Sequence, residues 1–270
     1  MIELFEQNIK QNDRQSSKGN QLKWKNDDIW YKADHTGYEG LSEYVISHLL
    51  TKSSLEKKEF VLYNPIQIKY KNFIYNGASS VNFLEDEWQI ITLERLFQNY
   101  YGRSLNSAIW NIKNPKERLE FIVKNVERIT GLKKFGTYMN KILTIDAFFL
   151  NEDRHTHNLA VLMNEKQEFK YCPIFDNGAG LLSDTTIDYP LDIDIYTLIS
   201  SVKSKTFLTT FQEQLDISEE LYGANMQFTF SKKDVENLLN NDEALIYPVE
   251  LRERIKTIIF EQMRKYSYLF

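Results

Sequence analysis

Hydrophobic periodicity changes once along this 270-residue chain, and that change constrains the fold more than any other feature. From about residue 20 to 90 the segments QLKWK, DIWYKA, EFVLYN, NFIYN and SVNFL are short and rich in aromatic and β-branched residues. Turn formers such as NDD and YNGASS separate them, which predicts strands. One helix interrupts the series, GLSEYVISHLL, with Leu41, Val45 and Leu49 on one face. From about residue 90 onward the spacing turns helical. PKERLEFIVKNVERITG brings Leu119, Ile122, Val123 and Val126 to one face, opens on Pro115 and closes on Gly131. The C-terminal stretch repeats this logic, with Pro248 near its start. The prediction is an α+β chain with a small β-rich lobe over residues 1–88 and a larger helical lobe over 89–270, together forming one domain.

Composition narrows the partners. The balance of 33 basic and 38 acidic residues gives a net charge of -5, which speaks against direct nucleic-acid binding. MIELFEQNIKQNDRQ contains no apolar leader region, and no later run approaches the roughly 20 apolar residues that a membrane span needs. No membrane association is therefore expected. A single cysteine, Cys172, allows no internal disulfide, which fits a reducing, cytoplasmic setting. Delivery to a host, or secretion by a route without a signal peptide, stays open.

The stretch LNEDRHTHNLAV, residues 150–161, carries the chemistry. Asp153 and Asn158 stand five apart, and FDNG places Asp176 a further 23 residues past Asp153. Phosphoryl transfer needs these groups: a carboxylate to orient the attacking hydroxyl and take its proton, and oxygen ligands for a magnesium ion on the nucleotide phosphates. Protein kinases space them as D-x-x-x-x-N followed by D-F-G. Between the two motifs the chain must return as a hairpin with NEKQE at its tip. DRHTHN alone also suits an ordinary polar turn. A transition-metal site on His155 and His157 competes, yet i, i+2 spacing in a turn rarely turns both rings inward.

A kinase also needs an ammonium for the phosphates and a carboxylate to hold it. Lys32, in the strand DIWYKA, and Glu43, eleven residues on in the predicted helix, have the order and spacing for that pair. Trp30, two positions before the lysine, is bulkier than the residue usual there. Adenine is expected near NFLED, against the backbone of Leu84 and Glu85, where the strand lobe hands over to the helical one. The phosphate-covering loop falls in DRQSSKGNQ, where Ser16, Ser17, Lys18 and Gly19 would supply backbone and side-chain contacts; there is no Walker A motif.

Together these motifs resemble the HipA-like kinases, whose catalytic loop reads D-x-H-x-x-N; DRHTHN fits, with His155 as the internal histidine. SSKGNQLKW is similar to that family's phosphate loop, EYVISHLL to its glutamate helix, and SKTFLTTFQEQL, residues 204–215, to a Lys-Pro-Phe segment, though without the proline. ASSVNFL and the chain length are similar to small stand-alone members. The resemblance implies a two-lobed protein-kinase-like fold and serine/threonine protein phosphorylation with ATP and magnesium, in a toxin or effector role. It makes Asp153 the catalytic base, Asn158 and Asp176 the metal ligands, and Lys32 the nucleotide lysine. An antitoxin partner is the further implication, although the chain has no room for the extra N-terminal subdomain through which full-length members contact one. Ser16 or Ser17, placed over the γ-phosphate, is the expected autophosphorylation site, where added charge would expel the loop. Two alternatives remain: a lipid or small-molecule kinase, since these also use D-R-H-x-x-N, and a nucleotide-binding pseudokinase that regulates a partner.

Overall fold

The computed structural model describes residues 1–9 and 21–270. Ser16, Ser17, Lys18 and Gly19, the expected phosphate-loop residues, lie outside the described residues. In chain order the strands are β1 (Ile2–Leu4), β2 (Lys23–Asn26), β3 (Ile29–Ala33), β4 (Asn64–Tyr70), β5 (Phe73–Val81), β6 (Trp88–Thr92), β7 (Ala160–Asn164) and β8 (Phe169–Tyr171). The α-helices are α1 (Glu39–Leu50), α2 (Leu93–Tyr101), α3 (Leu105–Asn111), α4 (Pro115–Thr130), α5 (Phe135–Phe149), α6 (Ile195–Ser201), α7 (Phe211–Tyr222), α8 (Lys232–Leu239) and α9 (Val249–Lys265). The chain is α+β, as the periodicity predicts, and it forms two compact units. One comprises residues 1–83, 175–202 and 227–270; the other comprises 84–174 and 203–226.

The first unit is built on a five-stranded sheet of order β1-β4-β5-β3-β2. Every pairing is antiparallel except β1 with β4, where Ile2 lies opposite Ile68. Trp24, Tyr31, Ile68 and Leu4 fill one apolar cluster on this sheet, and Val61, Tyr63 and Ala78 form another with Phe83 and Phe175. Burial of each large side chain is worth about 1.5–3 kcal/mol.

Two strand predictions need correction. EFVLYN is not a strand: Lys57–Glu59 form a 3-10 turn, and the strand begins only at Asn64, in NPIQIKY. Pro65 removes a backbone donor near the strand's start, where the loss is tolerated. YNGASS is not a turn either, since β5 runs straight through Gly77. A Cβ there would sit 2.1 Å from the Lys32 carbonyl oxygen, and one on Gly40 in α1 would sit 2.4 Å from the Gly77 carbonyl carbon. These glycines let backbone pack on backbone, bringing α1 onto the sheet beside β3.

The second unit packs α2, α3, α4, α5 and α7 with the sheet β6-β7-β8. Its centre is α5, where Met139 and every residue from Ile142 to Phe149 are buried. Helix α4 matches its prediction: Asn114 caps it, accepting from Lys116 N–H at 2.9 Å, and Gly131 ends it with φ +73°. The predicted hairpin past the polar loop is β7–β8, Val161 opposite Tyr171.

Candidate active site

Helix α5 delivers the polar loop. Leu150 takes the left-handed conformation at φ +55°, ending the helix and turning residues 151–158 away from its axis. What shapes the loop is buried beneath it. Arg154 is 2% exposed and donates from Nε to both carboxylate oxygens of Asp146 on α5, at 3.2 and 3.1 Å. Burial raises the Asp146 pKa, while the Arg154 charge opposes that rise. Arg154 also reaches the Asn158 carbonyl (3.3 Å), and its own carbonyl accepts from the Thr206 hydroxyl at 2.6 Å. On the loop's other side, buried Glu94 accepts from the N–H groups of Leu105 and Asn106 and from the Thr156 hydroxyl (3.1, 2.9 and 2.8 Å). Burial alone would raise the Glu94 pKa; the hydrogen bonds from Ser104, Asn106 and Thr156, with the His157 charge, reverse this and leave it lowered.

This scaffold presents Asp153, His155 and Asn158 together. The Asn158 amide nitrogen donates to the Asp153 carbonyl at 2.8 Å and to its Oδ2 at 3.1 Å, so the amide oxygen is the end turned from that carboxylate. The His157 N–H donates to His155 Nδ1 at 3.3 Å, which puts the proton of a neutral ring on Nε2, 3.7 Å from Asp153 Oδ1. Burial holds the His155 pKa below its ordinary value; Asp153 opposes the shift and His157 adds to it. His157 itself is exposed. Among the described residues no three His, Cys, Asp or Glu side chains gather as a metal site, so the two-histidine idea finds no third ligand.

The second cluster lies wholly in the other unit. Lys32 Nζ donates to Glu43 Oε1 at 2.9 Å and to Asp176 Oδ1 at 2.7 Å. Burial would lower the lysine pKa, but Asp176 and then Glu43 overturn it, and the ammonium is held well above its usual range. The other Glu43 oxygen accepts from Asn177 N–H at 3.0 Å. Buried Tyr63 places its ring 5.2 Å from Lys32 Nζ. These contacts hold Asp176 at φ +61°, a conformation that a side-chain-bearing residue adopts only at a cost of roughly 1–3 kcal/mol. Trp30, on the Lys32 face of β3, donates from Nε1 to Asn82 at 3.2 Å.

Beyond Asp176 the chain is stitched to the start of α1. The Ser42 hydroxyl donates to the carbonyls of Asn177 (3.3 Å) and Gly180 (2.9 Å), the Tyr38 hydroxyl to the Leu181 carbonyl (2.6 Å), and Tyr38 N–H to the Ser183 carbonyl (3.1 Å). A Cβ on Gly37 would lie 1.9 Å from that Ser183 oxygen. Leu181 and Leu182, both fully buried, sit at φ +55° and +57°.

Two expected contacts have a plainer setting. Leu84 and Glu85 fall where the chain crosses from one compact unit to the other, after Phe83. The Glu85 carbonyl accepts from Trp88 N–H at 3.2 Å and its carboxylate meets Lys170 at 3.0 Å. Sequence reasoning did not find Tyr63, Glu94, Asp146 or Arg154. Each acts through a partner far away in sequence or one turn down a helix, so no motif announces it.

The sequence matches no protein-family model and no curated protein. Among solved structures the fold is similar to the crystal structure of the Helicobacter pylori proinflammatory kinase CtkA, with a TM-score of 0.58 and 15% sequence identity over 95% of this chain and 92% of that one. At that identity the likeness is one of fold: a kinase-like α+β architecture with a five-stranded N-terminal sheet and a mainly helical remainder. No helix among the described residues is long and apolar enough to cross a membrane.

Proposed function

We propose that the protein is an ATP- and magnesium-dependent serine/threonine protein kinase of the HipA-like type. One observation carries the reading: Lys32 is hydrogen-bonded to both Glu43 and Asp176, and Asp176 follows Asp153 and Asn158 at the spacing phosphoryl transfer uses. The kinase-like fold supports it.

The donor set fits the cofactors. Asp176 and the Asn158 amide oxygen are hard oxygen ligands, and magnesium carried by a nucleotide takes only one or two protein carboxylates beside phosphate and water. Bound there, magnesium would neutralise charge developing on the phosphates. Lys32, kept charged by two carboxylates, binds phosphate oxygens. Glu43 keeps the lysine extended. Asp153, oriented by Asn158, accepts the proton of the attacking hydroxyl as its oxygen bonds to the γ-phosphorus and the bond to the ADP oxygen breaks.

The test is transfer of label from γ-labelled ATP to protein, peptide, lipid and water acceptors, alongside calorimetric nucleotide titration. Asp153→Asn is expected to lower transfer by about 10²–10⁴-fold with nucleotide affinity nearly unchanged. Transfer to lipid alone would assign a lipid kinase. Magnesium-dependent nucleotide binding without any transfer would assign a pseudokinase.

A further inference from the structure

Residues 184–201 hold four aspartates and no lysine or arginine. Along this stretch of the first unit Ile187, Leu191, Ile193 and Tyr196 are 70, 55, 43 and 56% exposed, and Asp188, Asp192 and Asp194 beside them are exposed too. The backbone underneath is pinned. Thr185 and Thr186 donate N–H bonds to the Thr36 carbonyl (3.1 and 3.0 Å), Asp184 accepts from Ile187 and Tyr189 N–H (3.0 and 2.8 Å), and Arg254 reaches the Tyr189 carbonyl (2.9 Å). A fixed backbone that displays four large apolar side chains in ten residues has the character of a docking surface.

Interleaved charge selects the occupant. Anionic lipid and nucleic acid are repelled by an aspartate strip, whereas a polypeptide with lysine or arginine between apolar side chains satisfies both components. Tyr196, at the strip's end, also lines a cavity of about 630 Å³ with Phe260, Met263 and Phe270, room for an apolar side chain of a bound chain. Arg264 at that cavity is held by Glu261 at 2.7 Å, and Lys232 lies over the Phe260 ring. The strip begins eleven residues past Asp176 on a continuous hydrogen-bonded path. Resting on the kinase reading above, we propose that Ile187–Tyr196 bind the phosphate-accepting polypeptide and select acceptors whose serine or threonine is flanked by basic residues alternating with apolar ones.

Fluorescence anisotropy with the full chain and no nucleotide tests the docking itself. The probe is a labelled peptide alternating arginine and leucine around one serine, compared with its glutamate-for-arginine counterpart. The basic peptide is expected to bind at least about tenfold more tightly, with an advantage that shrinks in high salt. Asp188→Lys with Asp192→Lys should erase that advantage, and Ile187→Ser with Leu191→Ser should weaken the basic peptide about tenfold while circular dichroism stays unchanged. Equal binding of the two peptides, or indifference to both double variants, overturns the proposal. So does sedimentation showing a dimer that Ile187→Ser dissociates, because the strip then covers a second copy of this chain. Label transfer to the same peptides separates the two claims: selective binding without phosphorylation removes the kinase reading and leaves a docking site, and equal phosphorylation of both peptides removes the docking site and leaves the kinase.

Discussion

Lys32 and Asp176, 144 residues apart in sequence, meet at 2.7 Å, and Glu43 grips both sides of the contact: one oxygen takes the lysine, the other the Asn177 N–H. One cation therefore faces two carboxylates. Lys32→Met removes the only charge of its sign from the triad and should cost about 3–5 kcal/mol of stability. Glu43→Gln keeps a matched pair and should cost about 1–2 kcal/mol. Urea denaturation of both variants checks the order, and a larger loss from Glu43→Gln would contradict it.

Tyr63 acts on the same cluster through its ring, 5.2 Å from the Lys32 ammonium. Tyr63→Leu takes the ring away from Lys32, a loss of about 0.5–2 kcal/mol from that contact. Because Lys32 is the proposed phosphate ligand, the KM for Mg-ATP should rise about three- to tenfold with kcat little changed, read from steady-state kinetics.

Glu94 joins the polar loop to the start of α3. In Glu94→Gln one acceptor oxygen becomes a donor that faces N–H groups, so about 1–3 kcal/mol should be lost. Because the N–H of Leu105 or Asn106 loses its acceptor, the joint between α3 and the loop that carries Asp153 loosens, and kcat should fall while nucleotide affinity holds. Thermal unfolding and calorimetric titration report the two effects separately.

Asp34 accepts from Gly40 N–H at 2.5 Å and from the Tyr247 hydroxyl at 2.9 Å, and burial, with Glu39 nearby, lifts its pKa from 3.8 to about 7. Between those values the folded chain binds a proton that the unfolded chain has released, so stability falls as pH rises across that window. Asp34→Asn removes this contribution. The wild-type stability relative to the variant should therefore decline from pH 4 to pH 7 and level off above it, measured by urea midpoints across pH. A flat difference curve would place Asp34 in water.

The local part of this architecture was legible in the sequence. α4 carries its own cap, periodic face and terminal glycine, and the pairing of Lys32 with Glu43 follows from a strand and a helix adjacent in sequence. What stayed hidden is nonlocal. β1 pairs in parallel with β4 across more than sixty residues, and a three-residue strand has no period to read. Gly77 reads as a turn until the Lys32 carbonyl is seen against it. Glu94, in the first turn of α2, is indistinguishable in sequence from any acid favoured there by the helix dipole.

The path from Asp176 to Ser183 holds three left-handed residues, Asp176, Leu181 and Leu182, and is fastened to one helix end. The segment is therefore seated on α1 and not only on its own neighbours in sequence. Both left-handed leucines are fully buried, and their path is fixed by the bonds from Tyr38 and Ser42, the backbone seat at Gly37 and the Lys32 and Glu43 contacts to Asp176 and Asn177. The helix that carries Glu43 and the start of the acidic apolar strip beyond Ser183 thus share one set of fastenings.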